Sequence, residues 1–279
     1  AGGFRLFPEG VLYPPYVAEI RRPGFGATLL GVSDPAPDAS GDLRFGLKLG
    51  GRFGLVRLAP PVTDRLWQLS FEAGFYGQFD IERSQDNVGW DGLYGLVLTT
   101  ARAGGGPFAY SLAVHHISSH VGDELAERTG RLRIGYTREE VALGVSWREP
   151  PASRPGRWRV YAEGAWGYTL SAEGPGGEEL QEPGRFEVGV EYEAPGVLGR
   201  RTGTSGRWGL FAALDANAWE ERDWQTALSV QTGFLIPSGH RRWRLGLAGY
   251  DGQVPLGEFF QQDERYVMVG LWLDLERLR

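Results

Sequence analysis

The chain contains no cysteine among its 279 residues. Disulfides, thiolate metal sites and thiol catalysis within these residues are therefore excluded, and a lipidated N-terminal cysteine is not expected. Lysine is nearly absent: Lys48 is the only one among 29 basic residues, the rest being arginine. No stretch reaches the ~18 consecutive apolar residues of a transmembrane helix, so a bilayer could be crossed only by strands. The net charge is −6 and no basic stripe is present, so nucleic acid is not an expected partner. No cofactor motif occurs either. The glycine runs at 104–106 and 174–177 lack the strand-to-helix context and the lysine of a phosphate loop and read as turns.

What is present is alternation. Trp67, Leu69, Phe71, Ala73, Phe75, Gly77 and Phe79 occupy one parity, and Gln68, Ser70, Glu72, Gly74, Tyr76, Gln78 and Asp80 the other. Successive side chains on a strand point to opposite faces, so one face is apolar and the other polar. The same pattern continues near 43–58, 86–103, 106–120, 131–138, 139–149, 156–171, 184–195, 206–220, 222–236, 239–250 and 264–276. Together with 65–80 this predicts an all-β, antiparallel transmembrane barrel of about twelve strands over residues 42–279. Fourteen strands would result if Gly50-Gly51 were a turn and a further strand ran near 26–32. Residues 1–41, with Pro8, Pro14, Pro15, Pro23, Pro35 and Pro37, read as an irregular arm or plug.

Aromatic spacing decides which face is outside. Trp158 and Tyr168 lie ten residues apart on the apolar parity, as do Trp224 and Phe234. At ~3.3 Å per residue and ~40° tilt this spans ~25 Å, the height of a lipid band between two aromatic girdles. The polar parity then faces a lumen, where Glu72, Asp91, Arg133, Arg148, Arg159, Glu163, Glu187, Glu191, Arg242 and Arg244 are interleaved with glycine. Such charges either pair with one another or set the ion preference of a narrow pore. Membrane lipid, other envelope proteins and, for a channel, a small solute are the expected partners, and the bacterial outer membrane the expected location.

Three of the four histidines fall in His115-His116-Ile117-Ser118-Ser119-His120-Val121-Gly122-Asp123-Glu124. Strand parity sets His116, Ser118 and His120 on the lipid face and His115 and Ser119 in the lumen. His116 and Ser118, two apart on that face, could form the base and nucleophile of a lipid hydrolase or deacylase. The same segment could instead pair with loop backbone, contact a partner, or hold a metal through His115, His116, His120, Asp123 and Glu124, although its spacing matches no strong metal signature. Counted from a periplasmic start, the strand near 106–120 is the fourth and descends, which would put the segment at the periplasmic rim.

Leu6-Phe7-Pro8, Tyr16-Val17-Ala18, Arg21-Arg22-Pro23, the histidine segment from His116 to Glu124, and Arg138-Glu139-Glu140-Val141 together resemble an uncharacterised bacterial outer-membrane β-barrel family of unknown function. The resemblance covers the arm and most of the barrel. It implies an outer-membrane location but transfers no reaction. A non-enzymatic role, as a narrow channel or as the membrane-embedded part of an envelope assembly, is the expectation, with lipid hydrolysis as the alternative.

Overall fold

The computed structural model describes residues 3–34, 41–83, 86–150, 156–174, 177–199, 207–238 and 241–275. After a short strand β1 (Gly3–Leu6), the chain forms β2 (Phe25–Asp34), β3 (Leu43–Ala59), β4 (Arg65–Asp80), β5 (Asp86–Arg102) and β6 (Phe108–Val121). A short helix α1 (Asp123–Thr129) precedes β7 (Thr137–Arg148), β8 (Arg157–Ser171), β9 (Gly184–Leu198), β10 (Trp208–Trp219), β11 (Thr226–Ser238), β12 (Arg241–Gln253) and β13 (Asp263–Asp274). Every neighbour from β2 to β13 pairs antiparallel, and β13 pairs with β2, so twelve strands close a barrel with no free edge. β1 adds a thirteenth strand on β3, with Phe4 opposite Leu58.

The outward parity is the apolar one. Leu96, Leu98, Leu112, Val114, Val141 and Leu143 are all exposed side by side on β5, β6 and β7. Water would not support so broad an apolar belt, whereas a hydrocarbon layer does.

Twelve strands were expected, but their membership differs at two places. β2 lies inside the segment expected to be irregular, so the barrel begins at Phe25 rather than at residue 42. Its lumenal side chains Leu30 and Val32 are apolar because they pack with Tyr76, Tyr250, Tyr266 and Met268, which erases the polar parity. Conversely, the strand expected at 131–138 is largely loop. Gly135 is left-handed (φ 67°), and the amides of Ile134 and Gly135 both donate to the Glu258 carboxylate at 3.0 Å instead of to a ladder. Gly50-Gly51 sits within β3, as one continuous strand.

Gaining β2 reverses the direction of every strand up to β6. β6 is thus the fifth barrel strand, and its histidine end lies at the rim that carries the connections 122–136, 172–183 and 254–262. The opposite rim holds the start of β2, the end of β13 and the turns 60–64 and 103–107. We call these the loop rim and the turn rim.

The arm fills the lumen. Beyond β1, Phe7 is left-handed (φ 45°) and donates to Leu55 O at 2.9 Å, turning the chain inward. Glycines make room for it: a Cβ on Gly54 would meet Pro8 at 2.8 Å, and one on Gly74 would meet Pro23 at 2.6 Å. Pro14 and Pro15 have no N–H to satisfy, and arginine forks take their carbonyls. Arg159 donates to Pro14 O (2.7 Å) and Pro15 O (3.0 Å), Arg52 to Tyr13 O (2.7 Å) and Arg57 to Gly10 O (2.9 Å). Glu191 accepts from Val17 N at 2.8 Å, and the Tyr16 ring stacks on Tyr161 at 3.8 Å. From the loop rim a second plug descends: residues 254–260 are all buried, with Leu256 and Phe259 in the largest core cluster.

Candidate functional site on the outer wall

Three strands place three short columns side by side near the loop rim. Register sets Trp90, Gly92 and Tyr94 of β5 opposite His120, Ser118 and His116 of β6, and Ser118 and His116 opposite Thr137 and Glu139 of β7. All lie on the outward parity, just above the apolar belt. Tyr94 stacks on His116 at 4.6 Å and Trp90 on His120 at 4.1 Å. Between the two stacks, Gly92 offers no side chain, and a Cβ there would stand 3.5 Å from Ser118 Oγ. The face of Ser118 is therefore open to the surrounding layer, and its hydroxyl has no hydrogen-bond partner among the described residues.

His116 is oriented from the other side. Its Nδ1 lies 2.5 Å from Glu139 Oε1, with both side chains only partly exposed at 20% and 30%. A carboxylate on Nδ1 fixes the tautomer that carries its proton there and leaves Nε2 as a base. Glu139 is the residue that sequence reasoning did not select. Its signal was present in the segment Arg138-Glu139-Glu140-Val141, but only strand register brings it to His116.

The inner face of the same strands holds the site rigid. Asp91 accepts from Ser119 Oγ at 2.5 Å and from Gly257 N at 3.1 Å, and Glu258 N donates to Ser119 Oγ at 2.9 Å. Asp91 and Ser119 directly precede Gly92 and follow Ser118, so the loop plug is tied to the backbone beneath the outward columns.

The histidine segment does not gather as a metal site. His115 faces the lumen between Glu72 (3.3 Å) and Glu140 (3.8 Å), while His116 and His120 face outward. Asp123 leaves the strand and pairs with Arg133, and Glu124 sits in the first turn of α1. Among the described residues no group of three or more metal-ligating side chains is arranged to hold a metal ion.

Of the expected lumenal charges, Arg133 is a correction: it is exposed in the loop after α1, because that segment is not a strand. Glu72, Asp91, Arg148, Arg159, Glu163, Glu187, Glu191, Arg242 and Arg244 all reach the interior, where most are paired. Arg52 meets Glu72 at 2.8 Å and Arg159 meets Glu191 at 3.2 Å. Arg185 joins Glu140, Glu163 and Glu187 at 2.7, 2.8 and 2.9 Å, and Arg22 of the arm also meets Glu163 and Glu187. Arg242 holds Glu193 and Asp274, and Arg244 holds Asp274. At the loop rim, burial pushes the Glu221 carboxyl up to about 7 despite the nearby Arg138 and Arg21.

A closed twelve-strand barrel with an apolar outer belt and a polar, packed lumen defines an integral β-barrel of the bacterial outer-membrane type. The chain belongs to the family described as "Protein of unknown function (DUF1207)", which matches residues 3–274. Comparison with curated proteins gave no match. Among solved structures, the chain is similar to outer membrane phospholipase A from Escherichia coli (12% identity, 93% of each chain covered, TM-score 0.55). It also aligns with LpxR from Salmonella typhimurium (10% identity, 89% of this chain and 99% of that one, TM-score 0.43). A third match is an anion-selective porin from Comamonas acidovorans (11% identity, 98% and 100% covered, TM-score 0.40). At 12% identity the likeness to the phospholipase is one of fold.

Proposed function

We propose that this protein is an outer-membrane hydrolase of acyl-lipid esters, working from its outer wall. The observation that carries the reading is the contact of Glu139 Oε1 with His116 Nδ1 at 2.5 Å, with Ser118 two residues along the same outward face. In this assignment Ser118 Oγ attacks the ester carbonyl and His116 Nε2 takes its proton. That proton then passes to the departing alkoxide as the C–O bond breaks. Water, deprotonated by the same imidazole, attacks the acyl-serine and releases a fatty acid. Glu139 holds the ring and stabilises the imidazolium. Ring stacks at Tyr94 and Trp90 would flank an acyl chain entering from the belt below.

The location of the columns supports this reading. Outer-membrane barrels keep short turns and both ends on the periplasmic side and long loops outside. By that rule the loop rim would face outward, which would set Ser118 at the outer leaflet and supports the reading. A channel would need a continuous lumen, and the arm, the 254–260 plug and the paired charges occupy the described interior.

An active-site-directed fluorophosphonate tests the nucleophile directly. Covalent labelling of Ser118, lost in Ser118→Ala and in His116→Asn, is the expected outcome. Equal labelling of the wild-type protein and Ser118→Ala would remove the assignment.

A further inference from the structure

A cavity of about 80 Å³ lies inside the barrel toward the turn rim, lined in part by Pro14, Pro15, Tyr16 and Val17 of the arm. At roughly 15 Å³ of such volume per water, it holds about five water-sized groups, room for a small polyatomic ion.

Its walls carry more cations than anions. Lys48, Arg148, Arg159, Arg242 and Arg244 face Glu191, Glu193 and Asp274 there. Three of these arginines are already engaged: Arg159 by Glu191, Arg242 by Glu193 and Asp274, and Arg244 by Asp274. Arg148 is different. Its guanidinium makes no hydrogen bond or ion pair among the described residues. It stands directly opposite Arg159 in the β7–β8 register, on the same face. Like charges directly opposite on a ladder are destabilising. Lys48 has one acceptor, the arm carbonyl of Glu19 at 3.1 Å, leaving donors to spare on its ammonium.

We infer that this vestibule binds a small oxyanion, a phosphate or carboxylate group reaching it from the turn rim. Arg148 supplies the planar fork that matches two oxygens of such a group, and Lys48 the point charge. The site is at the opposite end of the barrel from Ser118 and is independent of the hydrolase reading.

Titration calorimetry of the detergent-folded full chain at low ionic strength, with inorganic phosphate and separately with acetate, tests this. Saturable binding of at least one anion is expected, weakened tenfold or more in Arg148→Gln and unchanged in Arg265→Gln, which removes an exposed charge on β13. Because Arg148 has no internal partner, its variant should fold, as checked by heat-modifiable migration. Phosphate without acetate would assign a phosphorylated ligand, and both together a general oxyanion. No saturable heat with either anion, or equal weakening in Arg265→Gln, would overturn the inference.

Discussion

Glu139 and Glu140 are neighbours in sequence but face opposite sides of the barrel wall, each opposite one of two neighbouring histidines. Glu139 holds His116 on the outside at 2.5 Å, and Glu140 approaches His115 inside at 3.8 Å. The two His–Glu pairs are back to back across a single strand pair. In the proposed reaction the two pairs have different roles.

Outside, the pair is catalytic in the proposed reaction. Glu139→Gln should lower kcat by ~10²-fold or more with KM little changed, since the amide no longer fixes the charged imidazole. Steady-state hydrolysis of a short-chain ester in mixed micelles measures the split. A rise in KM at constant kcat would mean that Glu139 only binds lipid.

Inside, the pair is structural. Glu140 is buried with Arg138 at 2.9 Å and Arg185 at 2.7 Å, so Glu140→Gln takes from Arg138 its close carboxylate and from Arg185 one of three. Breaking a buried pair from one side costs about 3–5 kcal/mol. A lower urea midpoint with residual activity per folded molecule is expected.

Much of this architecture was legible in the sequence, and the exceptions have physical causes. β4 could be read because Trp67, Phe71 and Phe79 meet lipid while Gln68, Glu72 and Asp80 meet the lumen. β2 could not, because its lumenal Leu30 and Val32 join an apolar cluster with three tyrosines. That one missing strand moved the histidine strand from fourth to fifth in the barrel count. The outward placement of His116 and Ser118 followed from parity alone. Glu139 was hidden because its partner is set by register across the 122–136 connection, and a slip of one residue would present Glu140 instead.

The arm should act as a stopper. Deleting residues through Gly24, but keeping β2, should produce discrete conductance steps in planar bilayers where the full chain shows none. Because the deletion could disturb β3, the double variant Arg52→Ala/Arg159→Ala, which removes the arginines holding Tyr13, Pro14 and Pro15 carbonyls, serves as a second route to the same steps. Silence in both would show that the lumen is closed without the arm.

Asp91 should pin the loop plug. Asp91→Ala removes the acceptor for Gly257 N and Ser119 Oγ, leaving buried donors unpaired at a cost of about 1–3 kcal/mol. Faster hydrogen exchange confined to 254–262 is the expected result, and unchanged protection would show that Leu256 and Phe259 packing suffices.

Glu221 gives the loop rim a pH dependence of known sign. Its folded value of about 7 exceeds its ordinary 4.5, so the folded state holds an extra proton between these values. Stability should therefore fall as pH rises from about 4.5 to about 7 and level off above. Glu221→Gln should flatten that slope in thermal midpoints taken across the window.

The measurement that bears most directly on the central claim is fatty-acid release from phospholipid and lipopolysaccharide in mixed micelles by the purified protein and its Ser118→Ala variant. The account expects release by the wild-type chain and none above background from the variant, with both equally folded. Release that persists in Ser118→Ala, or none from the wild type on either lipid, would contradict it.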